Sequence, residues 1–164
     1  ALSSAASDVY KRQVIERDIN ISDIIESGVK IDSDVSPQLI VNLFTPNTPL
    51  HDGAVIISNN KIAAAACILP LADDKEIAKE IGTRHRAGIG ISKESDAIAI
   101  IVSEETGKIS VAIDGNLIAD VKEEALKNIL IKYMINKRFA VERNRRVKKL
   151  KIKKENKQKQ NEEH

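Results

Sequence analysis

The chain has 164 residues, 42% hydrophobic and 30% charged, which fits one soluble globular domain with a real core. Aromatic residues make up only 2%, so the core must come from Ile, Val, Leu and Ala, and a base-stacking nucleic-acid platform is excluded. The single Cys67 excludes an internal disulfide and a cysteine-based zinc site. The net charge of +2 hides an asymmetry: residues 137–164 carry 12 Lys/Arg against 4 Asp/Glu, so the rest of the chain is net negative, which argues against a nucleic-acid partner.

Residues 1–13 are small, polar and aperiodic, and Ser7 to Gln13 reads as translated adapter sequence. They are expected to be a leader of non-native look, with the domain over residues 14–138 and a basic, disordered tail over 139–164. Val14 and Ile15 read as the remainder of a strand. Ile21, Ile24 and Ile25 share a helical face that Gly28 would end. Ser36-Pro37 opens a second helix, with Ser at the cap and Pro in the first turn, carrying Leu39, Ile40, Leu43 and Phe44. Two prolines three apart make residues 45–49 a loop. The pattern then predicts a strand over 54–57, a tight turn at Asn59-Asn60 and a returning, doubly buried strand over 62–69. A helix is expected over 73–81, another from Arg84 to Ile91, and strands over 97–102 and 108–113, the last followed by a turn at residues 114–116. Asp120 with Glu123 resembles a capping box for a last helix running from Val121 to about Arg138. Strands and helices intermix without a regular βαβ series, so the fold class is α/β, a central mixed sheet surrounded by helices. No stretch reaches the roughly 20 apolar residues of a membrane helix.

Three stretches break the local pattern. In His51-Asp52-Gly53-Ala54 a carboxylate and an imidazole precede a buried strand, where they can bind a cation or take a proton from a hydroxyl; a simple Asp turn explains the same residues. The small Gly53 and Ala54 would let a ligand approach the backbone. In Gly82-Thr83-Arg84-His85-Arg86 two arginines and a hydroxyl meet at a helix start, whose free N–H groups suit phosphate; the alternative is a solvated basic turn. Ser103-Glu104-Glu105-Thr106-Gly107 is either a polar hairpin loop or a set of hydroxyl and carboxylate groups touching ribose, phosphate or metal. There is no P-loop and no dinucleotide-binding glycine motif.

Asp52-Gly53-Ala54 followed about 30 residues later by Arg84-His85-Arg86 resembles the signature of the diadenylate cyclase domain family. Pro46-Asn47-Thr48-Pro49-Leu50-His51, Gly82-Thr83 and Val102-Ser103-Glu104-Glu105-Thr106-Gly107 match as flanks, and the similarity spans about Val14 to Met134. It is closest to the membrane-anchored bacterial type. The resemblance implies one ATP per subunit, a face-to-face homodimer, and a divalent metal, Mn²⁺ or Mg²⁺. Each 3′-hydroxyl would attack the α-phosphate of the facing ATP, giving cyclic di-AMP and two pyrophosphates. By position, Asp52 assists the hydroxyl and helps hold metal, with Gly53 and Ala54 completing the motif and His51 a further metal ligand. Thr83, Arg84 and Arg86 hold phosphates, His85 supports that turn, Ser103 and Glu105 line the phosphate and metal region, and the Leu69 backbone meets the adenine edge. The resemblance also implies a place on the cytoplasmic face of the membrane, leaves room for a regulatory protein partner, and would put membrane helices and more of the first strand ahead of Val14. The chain departs from relatives at Ile68, where an aromatic often covers the adenine, and at Gly88, where Ala is more usual. A nucleotide-binding sensor without catalysis is the alternative; the intact Asp52, Arg84 and Arg86 argue against it.

Overall fold

The structure is a computed structural model that describes residues 12–72, 82–103 and 106–135. The helix expected over 73–81, the Glu104-Glu105 pair and the tail lie outside the described residues. The chain divides into two units, Ala1–Glu123 and Glu124–His164, and every candidate site residue belongs to the first.

In the first unit the elements are β1 (Arg12–Ile15), α1 (Ser22–Glu26), β2 (Val29–Asp34), α2 (Pro37–Phe44), β3 (Ala54–Ser58), β4 (Lys61–Cys67), α3 (Thr83–Glu94), β5 (Ile98–Val102), β6 (Ile109–Ile113) and β7 (Asn116–Ile118). They form one seven-stranded mixed sheet of order β2-β4-β3-β1-β5-β6-β7. Only β1 and β3 run parallel; the other neighbours are antiparallel. The strands at the middle are almost wholly aliphatic, as burial on both faces requires. One face packs Val14, Ala54, Ile56, Ala99 and Ile101 together with Ile89 and Ile91 of α3. The other packs Val55, Ile62 and Ala65 against Ile40, Leu43 and Phe44 of α2. The result is a helix layer on each face, the α/β architecture expected from the sequence.

The α2 start behaves as its residues dictate: Ser36 Oγ accepts from the Leu39 N–H at 3.2 Å, and Pro37 opens the helix. Asn59 and Asn60 both take positive φ, 51° and 64°, and close the β3–β4 turn. Strands β2 and β7 were not expected, and three further elements differ from expectation. The sheet already begins at Arg12, two residues inside the expected leader, because Arg12 and Gln13 pair with both β3 and β5. Strand β4 ends at Cys67, so Leu69 lies in the segment beyond it. The last helix, α4, starts at Glu123. Asp120 does not cap it: its carboxylate goes to Lys122 at 3.1 Å and Lys108 at 3.6 Å, and the Val121 N–H donates to Ile109 O at 2.7 Å, which pins this stretch to β6. In the second unit α4 runs to Leu130 and passes into a π-helical turn, Ile131–Ile135.

Candidate active site

The strand register decides which loops meet. Ala54, the first residue of β3, lies beside Arg12 of β1 and Cys67 of β4. Arg12 in turn pairs with Ile101, one residue before the end of β5. The loop before β3, the segment after β4 and the loop after β5 therefore open at the same end of the sheet. These carry His51 and Asp52, Leu69, and Ser103. Helix α3 brings the fourth group: a Cβ on Gly88 would touch Ile101 Cδ1 and Ala99 Cβ, so its first turn lies over the same end of β5.

Asp52 is exposed, and His51 is half-buried. The His51 ring Nδ1 lies 3.2 Å from Thr48 O. A carbonyl only accepts, so this contact is a hydrogen bond when Nδ1 carries a proton, which leaves Nε2 as the ring nitrogen for a metal. Among the described residues no three of His, Cys, Asp and Glu gather round one point. The protein side of a metal site here would thus be His51 and Asp52, with phosphate oxygens and water completing a shell of the kind Mg²⁺ keeps. The Asp52 carboxylate suits Mn²⁺ or Mg²⁺, whereas the His51 imidazole suits a transition metal better than Mg²⁺; Glu105 lies outside the described residues.

Gly53 and Ala54 serve the scaffold. Gly53 has φ 103°, and a Cβ there would stand 2.7 Å from Ala66 C and 2.8 Å from Cys67 O. A Cβ here would meet the chain's own β4, which bulges at Ala66 (φ 55°), so the fold itself requires this glycine. Ala54 is wholly buried in the core.

Helix α3 has Gly82 at its cap with no side-chain hydrogen bond to it, and the Arg86 N–H is the one that reaches back to Gly82 O. The N–H groups of Thr83 and His85 have no intrahelical partner among the described residues, the usual state of a first turn. Thr83 is exposed, and Arg84 and His85 are half-buried. Burial lowers the Arg84 pKa, and the charge of Asp52 opposes that shift, so the two motifs lie within electrostatic reach of each other. Burial also lowers the pKa of His85, favouring the neutral ring. Arg86 behaves differently: its Nε and Nη2 donate to Ala72 O at 3.3 and 3.1 Å. Ser103 is half-buried, and its main chain closes the hairpin through Ser103 N to Lys108 O and Gly107 N to Ser103 O, both 3.0 Å. Neither peptide group of Leu69 bonds to another backbone group among the described residues, while its side chain is buried.

Arg12 was missed as a neighbour of this site, because sequence reasoning left it in the leader. Burial and the adjacent Arg84 lower its pKa, and Asp52 counteracts them. No signal in its flanks marks it; only the β1–β3 register does.

Comparison with known proteins follows the same lines. The profile described as "DAC: DisA bacterial checkpoint controller nucleotide-binding" matches residues 12–117. Over 135 residues the chain is 53% identical to the cyclic di-AMP synthase CdaA of Bacillus subtilis, covering 79% of this chain and 50% of that protein. It superposes on the crystal structure of DacA from Staphylococcus aureus with a TM-score of 0.77 at 47% identity, covering 80% of this chain and 89% of that one. A hypothetical membrane spanning protein from Bacillus cereus gives a TM-score of 0.68 at 40% identity, over 73% of this chain and 59% of that one. The chain spans about half the length of the curated relatives it matches. With one sheet end bearing all the motif residues described, and a profile match across that sheet, the chain belongs to the DAC family of DisA-type nucleotide-binding domains, the diadenylate cyclase domain family.

Proposed function

We propose that this chain is the catalytic part of a diadenylate cyclase, joining two ATP molecules into cyclic di-AMP and releasing two pyrophosphates. In each half-reaction a ribose 3′-oxygen forms a bond to the α-phosphorus of the facing ATP. The bond from that phosphorus to the β-bridging oxygen breaks, and pyrophosphate leaves with its electron pair. The hydroxyl proton goes to Asp52. Thr83, Arg84 and the first turn of α3 hold the phosphates, with His85 supporting that turn, Ser103 lining the phosphate region and Glu105 assigned there from the family motif alone. The Leu69 main chain reads the adenine edge. Mn²⁺ or Mg²⁺, held by His51 Nε2 and Asp52, would offset triphosphate charge and polarise the phosphoryl group.

The single observation that supports this reading is that strand register and helix packing bring the loops of Asp52 and Arg84, from separate motifs, to one sheet end, within electrostatic reach. An anion-binding helix start beside a carboxylate and an imidazole is what phosphoryl transfer by positioning and charge stabilisation needs. Two subunits face each other in this proposal, since one chain has one copy of each motif. The whole protein is proposed to work at the cytoplasmic face of a bacterial membrane, open to a regulatory protein partner. No helix among the described residues is long and apolar enough to cross a membrane. The direct test is to incubate the protein with ATP and Mn²⁺ or Mg²⁺. Cyclic di-AMP is the expected product, and ATP that binds but stays intact would indicate a sensor instead.

A further inference from the structure

Arg86 is spent in a way its motif does not suggest. The edge of its guanidinium formed by Nε and Nη2 converges on one neutral acceptor, Ala72 O, at 3.3 and 3.1 Å. The bond is returned: the Ala72 N–H donates to the Arg86 main-chain oxygen at 3.1 Å. One turn further along α3, a Cβ on Gly90 would stand 2.2 Å from Pro70 O and 3.0 Å from Ala72 N, so the segment lies flat against the helix there. At the segment's other end the Ile68 N–H donates to Ser27 Oγ at 2.9 Å, tying it to the end of α1. The stretch Ile68–Ala72 is therefore clamped between two helices, with Leu69 inside the clamp.

A guanidinium edge that grips a carbonyl in this way is not offering the same fork to a phosphate. Arg86 lies two residues after Arg84 on α3, while Ala72 lies three after Leu69. The clamp thus joins the phosphate end of the site to its adenine end. We infer that Arg86 is a positioning residue, which fixes the distance between the adenine edge and the phosphate-binding turn and does not bind phosphate itself. This rests on the cyclase reading, because it takes Leu69 as the adenine edge.

The test uses the full chain with Arg86→Met, which keeps an apolar stem without donors, and Arg86→Lys, which keeps the charge without the fork. Calorimetry with Mg²⁺ compares a non-hydrolysable ATP analogue, the GTP analogue and inorganic tripolyphosphate, and hydrogen exchange follows the Ala72 amide. In both variants the preference for the ATP over the GTP analogue should fall by about tenfold or more, tripolyphosphate affinity should stay within about threefold, and Ala72 should exchange faster. Tripolyphosphate and ATP weakening in parallel in Arg86→Met, with Arg86→Lys restoring both, would make Arg86 a phosphate ligand and overturn the inference. Unchanged base preference in both variants would overturn it too. If Arg86→Met does not fold, Arg86→Lys decides alone: lost base preference with intact tripolyphosphate binding supports the inference, and wild-type behaviour removes it. A wild-type chain that binds neither nucleotide removes the cyclase reading itself, while Ala72 exchange in the variants still reports whether the clamp exists.

Discussion

Asp52 sits exposed on a loop, so its carboxylate contributes little to the core, and its proposed value is chemical. Asp52→Asn is nearly isosteric and removes the charge that a cation and a departing proton both need. It should cut cyclic di-AMP synthesis by at least about 10²-fold while leaving the melting curve unchanged; a folded variant with near-normal turnover would take the base role from Asp52. Gln13 presents the opposite case. It is buried in the central strand β1, and its Oε1 has no hydrogen-bond partner among the described residues. An amide so placed costs free energy that a thioether of the same shape does not. Gln13→Met should stabilise the fold by about 1–3 kcal/mol, seen as a higher urea midpoint at constant slope. At this scale the candidate residues were legible because charge and hydroxyl interrupt aliphatic runs. What each residue touches was not. Nothing in the sequence says that Gly53 yields to β4 or that Arg86 holds Ala72, since both depend on contacts across the fold.

Helix α3 carries two glycines that the sequence treats alike and the packing does not. At Gly88 the obstacle to a methyl group is a side chain, that of buried Ile101, with Cδ1 at 2.5 Å and Cγ1 at 2.9 Å, which must shift to make room. Alanine there also gains helix propensity, so Gly88→Ala should change stability by no more than about 1 kcal/mol in either direction. At Gly90 the obstacle is main chain, Pro70 O at 2.2 Å, which cannot give without lifting the Ile68–Ala72 segment. Gly90→Ala should cost more than about 2 kcal/mol and weaken nucleotide binding; a pair of denaturation curves distinguishes the two. Helices α1 to α3 and strands β3 to β6 were legible from apolar spacing and turn residues. Strand β2 was not, because it is an edge strand with Val29 half exposed and Asp32 at φ 51°, which breaks the alternation. Strand β7 has three residues, too few to show a period. Only Val14 and Ile15 hinted at β1, although it holds the centre of the sheet.

The mixed class of the sheet followed from the order of strands and helices, but its strand order did not. Pairing β1 parallel to β3 and antiparallel to β5 is a long-range choice that local pattern does not encode, and it is this pairing that brings the motifs to one end. One such end carries one set of motif residues, whereas ring closure needs two triphosphates with their hydroxyls and α-phosphates crossed. In the proposed reaction a two-fold contact between subunits would supply the second set on the facing surface. Nucleotide and metal bound across that contact would favour pairing by mass action. The initial rate of cyclic di-AMP formation, measured per mole of protein over a wide dilution series with ATP and Mn²⁺, tests this most directly. The account predicts cyclic di-AMP with two pyrophosphates per product, at a specific activity that rises with protein concentration. No cyclic di-AMP at any concentration, or a constant specific activity from a species that sediments as a monomer throughout, would contradict it.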